Sequence, residues 1–268
     1  MNITVFSKDR ALQLELFIRS FNKYVVDSNS YRINVLYTFS NTEYEKGYIK
    51  LTEMYPDVKF IKETNFKQDV ISLINPLEDY TIYFVDDDIF KNKIDFYDKQ
   101  EEIFRKDSKI LCRSLRLDNT QKRCYTMNLT YSKFPTFIKN GNSLIFNWVN
   151  QQGDYGYPMS LDGHIFRTQE LLPYINNLSY NNPNSLEGNM AAWVSGHQTI
   201  KQKMICYEQS IIVNNPCNIV QTNNSNLHGS ENPIKLNSDF LSGKIISLEN
   251  IDGIENISCH QEIKIIIK

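Results

Sequence analysis

Thr81-Ile82-Tyr83-Phe84-Val85-Asp86-Asp87-Asp88 is the stretch of sequence that decides the fold class. β-Branched and aromatic residues in unbroken succession describe a strand covered on both faces, as in a parallel sheet, rather than one with a wet side. The strand then stops on three carboxylates. A parallel sheet delivers such residues to its carboxyl edge, where open α/β sheets bind their ligands.

Three strand–helix units precede that strand. Ile3-Thr4-Val5-Phe6 is β-prone, and Leu14, Phe17, Ile18 and Phe21 follow at helical spacing. Ile33 to Tyr37 reads as a second strand, residues 43–55 as a helix closed by Pro56, and Val58 to Ile61 as a third strand. Phe66, Val70, Leu73 and Ile74 form another helix face that ends before Pro76. This alternation predicts βαβ units with right-handed crossovers. Downstream, a charged helix over 93–106 leads to a strand over 110–115, and residues 118–158 read as loops and antiparallel hairpins. Helical stretches are expected over 160–175 and 184–203, a strand over 209–213, a polar loop over 221–233 and a packed apolar end over 263–267. No repeat or linker divides the 268 residues, so a single domain is expected.

The chain carries 29 Lys and Arg against 31 Asp and Glu, a formal charge of -2. It lacks the basic excess that phosphate backbones demand, which argues against a nucleic-acid partner. No apolar run approaches the ~20 residues that span a bilayer, and Lys8, Asp9 and Arg10 come too early for a leader. A cytoplasmic protein is expected, free or held peripherally at the inner face of the membrane. Five cysteines without Cys-x-x-Cys spacing predict free thiols.

Three adjacent carboxylates repel one another unless a cation neutralises them. Hard oxygen ligands suit Mg2+ or Mn2+, which are commonly shared with substrate phosphates, so a nucleoside diphosphate is the natural companion. An acidic turn at the start of the next helix is the plainer alternative.

Tyr83 to Phe90, preceded by three βα units, resembles the Asp-x-Asp segment of GT-A fold, nucleotide-sugar-dependent glycosyltransferases. The resemblance implies a GT-A-like α/β fold: a mostly parallel Rossmann-type sheet with helices on both faces and a smaller antiparallel acceptor-side region. It makes residues 1–115 a nucleotide-sugar-binding half and 116–268 an acceptor half. It also implies that Phe6-Ser7-Lys8-Asp9-Arg10 is the nucleotide-binding loop, with Ser7 and Arg10 beside base and diphosphate and Asp86 and Asp87 in the donor site. Asp88, with Asp86 and a C-terminal histidine, here His228, would hold Mn2+ or Mg2+. Leu161-Asp162-Gly163-His164-Ile165-Phe166-Arg167, followed by Pro183-Asn184-Ser185-Leu186-Glu187-Gly188, is similar to the acceptor side of bacterial inverting members. There a Glu-Asp pair supplies the catalytic base; Glu187 matches the Glu, and Gly188 stands where the Asp usually is. The implied activity is metal-dependent transfer of a hexose from a nucleotide-diphosphate sugar to a bacterial surface glycan or lipid-linked glycan, with inversion, as in polysaccharide or lipopolysaccharide synthesis.

Inverting transfer needs a carboxylate that accepts the proton of the attacking hydroxyl. Glu187 is the first candidate and Asp162 the second. Asn184-x-x-Glu187 also fits a capping box, which would make Glu187 a helix cap. Trp148, Tyr155 and Tyr157 offer flat apolar faces with polar handles for an acceptor sugar, or else belong to the core. His164 and His197 read as core residues, and His228 as a metal ligand or a surface-loop histidine. Lys122 and Arg123, with Arg113 and Arg116 nearby, form a basic run that would meet phosphates or face solvent. A nucleotidyltransferase or phosphohydrolase using the aspartates is the rival enzyme class; it would want glycines after the first strand or after the acidic cluster, and Ser7-Lys8-Asp9-Arg10 and Ile89-Phe90-Lys91 have none. A non-catalytic carbohydrate-binding protein is the other rival.

Overall fold

β1 (Asn2–Lys8), α1 (Ala11–Tyr24), β2 (Ile33–Thr38), α2 (Thr42–Met54), β3 (Lys59–Lys62), α3 (Phe66–Leu73) and β4 (Tyr80–Val85) reproduce the alternation read from the sequence. The computed structural model describes residues 1–220 and 226–268. These first strands pair in parallel in the order β3-β2-β1-β4. They are followed by β5 (Asp88–Phe90), α4 (Lys99–Lys106) and β6 (Ile110–Ser114), then the short strands β7 (Arg123–Cys124), β8 (Leu129–Thr130), β9 (Ile138–Asn140) and β10 (Ser143–Asn147). β11 (His164–Arg167), α5 (Thr168–Asn177), α6 (Pro183–Gly196), β12 (Lys203–Tyr207), β13 (Ile212–Asn214) and α7 (Pro233–Leu241) complete the chain.

Among the described residues, the main sheet has nine strands in the order β3-β2-β1-β4-β11-β6-β12-β10-β9. β11 is inserted antiparallel between β4 and β6, and β10 runs antiparallel to both β9 and β12. This is the mixed, mostly parallel α/β sheet expected, with antiparallel pairing at β11 and at β9 and β10. Side chains alternate across it at period two. Ile3 and Val5 of β1, Val35 of β2 and Ile82 and Phe84 of β4 join the core beneath α1 and α2. Phe6, Leu36 and Tyr83 point the other way, into the core lined by α3, α5 and α6.

Four expectations are corrected. Residues 93–98 are not helical; Asp98 caps α4 by accepting from Gln100 and Glu101, so the helix starts at Lys99. Residues 164–167 form a strand where a helix was expected, because the apolar run of His164 to Phe166 fills the gap between β4 and β6. α6 ends at Gly196, short of the helix expected to run to residue 203, and Lys203–Tyr207 is a strand that was not anticipated. His197 is exposed at the end of α6, stacked on Trp193 at 3.9 Å, rather than buried. The apolar end does pack, with Ile263 buried and Ile267 bridging Ile246, and all five cysteines are free and buried.

Gly163 makes the turn into β11 possible. Its φ of +70° lies in the left-handed region, and an added Cβ would come within 2.3 Å of Ile212 Cδ1. Gly163→Ala is expected to cost roughly 1–3 kcal/mol through strain and overpacking, checked by urea denaturation.

Candidate active site

The carboxyl ends of β1 and β4 converge. β1 finishes at Ser7 and Lys8, and Asp9 then takes a positive φ of 57°, an unusual conformation for a residue with a side chain. Asp9 is held there by Ser40, whose backbone N–H and hydroxyl both donate to its carboxylate. The turn brings Arg10 to the helix start, but its side chain makes no capping bond and reaches across to β4 instead. One Arg10 nitrogen, Nη1, donates to Asp86 Oδ1 at 3.1 Å and to Asp87 Oδ2 at 2.8 Å. The other Asp86 oxygen accepts from Ser7 Oγ at 2.8 Å and Lys8 N at 3.1 Å. Burial lifts the Asp86 carboxyl most, Arg10 opposes this, and Asp87 adds to it, giving about 6.

Asp88 lies deeper. Its oxygens accept from Val85 N at 3.1 Å and Asn214 Nδ2 at 3.3 Å, and it is fully buried, with its pKa well above the ordinary carboxylate range, by burial first and Asp162 second. Asn214 Nδ2 also donates to Asp87 Oδ1 at 2.8 Å, so β13 ties the acidic turn from the far side.

Opposite, Arg116 is almost wholly buried between Asp154 and Asp162, at 3.3 and 3.2 Å. Asp162 also accepts from His260 Nε2 at 3.1 Å. Burial alone would lift the Asp162 carboxyl, but His260 and then Arg116 outweigh it and hold it down to about 2. Glu187 behaves in the reverse manner. Its Oε2 accepts from Leu161 N at 2.8 Å, and burial followed by the negative charge of Asp162 pushes its carboxyl up to about 7. Two carboxyl groups side by side are thus driven apart, one to a permanent anion and the other to a proton acceptor near neutrality.

A cavity of about 840 Å³ joins the two halves, with Ser7, Asp86 and Asp87 on one wall and Tyr157, Asp162 and Glu187 on the other. Its size suits a nucleotide with an attached sugar.

No family model matches the chain. It is similar to the bifunctional glycosyltransferase pgtA of Dictyostelium discoideum, 28% identical over 232 residues that cover 76% of this chain and 29% of pgtA. That similarity runs over about three quarters of the chain. The chain spans less than a third of the length of that curated relative. Among solved structures, it is similar to S. aureus TarS, with a TM-score of 0.48 and 9% identity over 79% of this chain and 36% of that one. TarS 1-349 in complex with UDP-GlcNAc superposes with a TM-score of 0.48 and 12% identity, over 79% of this chain and 57% of that one.

Ser7, Arg10, Asp86, Asp87, Asp162, Glu187, Tyr157 and His228 all reach the cavity. Trp148 and Tyr155 do not. Both are buried in the core behind it, the indole bonded to Lys201 O and the phenol to Asp118 O, so of these three aromatics only Tyr157 lines the cavity. The capping box at the start of α6 is formed by Asn182 and Ser185, not Asn184 and Glu187, which releases Glu187 from any capping duty. Asp162 is paired twice, with Arg116 and with His260. His164 is buried, as expected, and burial and Arg116 lower it to about 3. Arg113 and Arg116 are buried ion-pair partners rather than members of a basic surface. The polar loop expected over 221–233 is described only from Asn226, with Gln221 to Ser225 lying outside the described residues; His228 is exposed on the cavity rim, and Pro233 already opens α7.

The divalent ion expected at Asp86, Asp88 and His228 does not fit this arrangement. Each oxygen of the three aspartates already accepts from a protein donor, and Asp88 does not reach the cavity. Among the described residues, no three His, Cys, Asp or Glu side chains converge as a metal-binding group. The residues the sequence reading missed are His260, Asn214 and Asn218, all on the cavity wall. The signal for the asparagines was their place just after the apolar run of Ile211 to Val213; for His260, in an irregular C-terminal segment, there was none.

Proposed function

We propose that the chain transfers a hexose from a nucleotide-diphosphate sugar to a hydroxyl of a glycan acceptor with inversion of configuration. The observation that carries this reading is one cavity that places a proton acceptor near neutrality, Glu187, opposite the Ser7, Arg10 and Asp86 end of the parallel sheet. The donor's nucleoside lies at the β1 end, its diphosphate beside Lys8 and Arg10, and its sugar points across the cavity. The acceptor oxygen attacks the anomeric carbon, the bond to the diphosphate breaks with its electron pair, and the acceptor proton passes to Glu187. The similarity to pgtA supports the reaction class. Among the described residues, no helix is long and apolar enough to cross a membrane.

The test is a panel of UDP-, GDP-, dTDP- and CMP-sugars read by thermal melting and then by transfer to glycan acceptors. A donor at a hundred times its Kd should add about 2.7 kcal/mol of stability. No stabilisation by any member of the panel would sink the reading. Product of unchanged anomeric configuration would overturn the inverting step alone.

A further inference from the structure

We propose that Arg10, with Lys8, supplies as a fixed part of the chain the positive charge that a divalent ion would bring to Asp86 and Asp87, so that nucleoside diphosphates bind without added metal. The proposal rests on the glycosyltransferase reading and adds how its donor site is neutralised.

The geometry points to Arg10 in three ways. Its Nη1 bridges the two carboxylates that reach the cavity, at 3.1 and 2.8 Å, which is the position a shared cation would take. It is clamped from behind, Nε donating to Asn218 Oδ1 at 2.8 Å and Nη2 to Asn218 O at 2.5 Å. A guanidinium has five N–H donors and cannot be deprotonated in a protein. Two serve the aspartates and two serve Asn218, which leaves one on Nη2 for a phosphate oxygen. Asn218 Nδ2, buried and without a hydrogen-bond partner among the described residues, is a second donor at the same place on the cavity wall.

The charges agree. Asp86 and Asp87 together offer two negative charges to the cavity, and Arg10 and Lys8, which line it with them, offer two positive ones. That is the charge of one divalent ion, delivered without an ion. The turn at Asp9, with its φ of 57°, is what carries Arg10 from the end of β1 toward the acidic turn.

The experiment measures UDP, GDP and pyrophosphate affinity of the whole chain by calorimetry, in EDTA and in millimolar Mn2+. Wild type should bind with affinities within about threefold of each other in the two conditions. Arg10→Ala should lose at least tenfold in EDTA and recover most of it with Mn2+, because the bridging position is then open. Arg10→Lys, run in parallel in case the alanine variant folds poorly, should fall between the two, since an ammonium keeps a positive charge beside the carboxylates but cannot also hold Asn218 as Nε and Nη2 do. Wild-type affinity that drops tenfold in EDTA overturns the proposal and leaves the glycosyltransferase reading intact. Unchanged affinity of either variant in EDTA also overturns it. Wild type that binds none of the three ligands in either condition overturns the proposal, while the glycosyltransferase reading stands or falls on the donor panel.

Discussion

Glu187→Gln is expected to lower sugar transfer by about 10²–10⁴-fold while leaving donor-induced stabilisation in place. Glutamine keeps the shape and the acceptor bond from Leu161 N but cannot take up the proton of the attacking hydroxyl. In the wild-type protein, transfer should fall as pH drops below about 7, because burial and then Asp162 lift the Glu187 carboxyl to that value. The same shift has a signed effect on stability. The ordinary value is 4.5 and the folded value is about 7, so the folded protein binds the extra proton between them. Its favourable contribution is fully present below the ordinary value and is lost as pH rises through about 7. Glutamine carries no such charge, so Glu187→Gln should be more stable than wild type at pH 8, by roughly 1–3 kcal/mol, and equal to it near pH 4. A merely structural Glu187 would lose stability on substitution at every pH. Transfer that stays within tenfold of wild type would remove the base assignment.

The parts of this molecule that were legible in the sequence are those governed by local pattern. β4 was plain because every residue from Tyr80 to Phe84 is buried, which leaves no room for polar alternation. α1 was plain because Leu14, Phe17, Ile18 and Phe21 face one core at helical spacing. β11 was not, because a four-residue strand inserted between β4 and β6 owes its conformation to the two strands it pairs with rather than to its own composition. At the site, the acidic turn and the Ser7 to Arg10 loop lie at strand ends that pattern can find. The partners of Asp88 were not legible: Val85 N, three residues before it, and Asn214, 126 residues after it, both donate to that carboxylate. Trp148 and Tyr155 have the residue type of a sugar platform, but the side of the backbone they occupy is set by tertiary packing that composition does not encode.

Arg116→Met should destabilise the protein by about 3–5 kcal/mol, a large share of the stability of a domain this size. The loss comes from the partners left behind. Asp154 and Asp162 stay buried with the guanidinium gone, and only Asp162 keeps a cationic neighbour, His260, within bonding distance. The pH dependence follows from Asp162, whose folded value of about 2 lies below its ordinary 3.8. A depressed carboxylate stabilises above its ordinary value and loses that contribution as pH falls through the folded one. Removing Arg116 raises the folded value, so acid unfolding should begin at a higher pH in the variant, seen by urea titrations at pH 7, 5 and 3. Arg116 also opposes the upward shift of Glu187, so the acid limb of transfer should move above 7 in whatever folded variant remains, with Arg116→Lys the milder case. Arg113 separates the two effects. It is equally buried, pairs with Asp98 at 3.1 Å and donates to Phe96 O and Tyr207 Oη, but does not reach the cavity. Arg113→Met should therefore cost comparable stability and leave the acid limb where it was. A shift of that limb by both substitutions would show that general loosening, and not the Arg116–Asp162 charge pair, sets the proton affinity of Glu187.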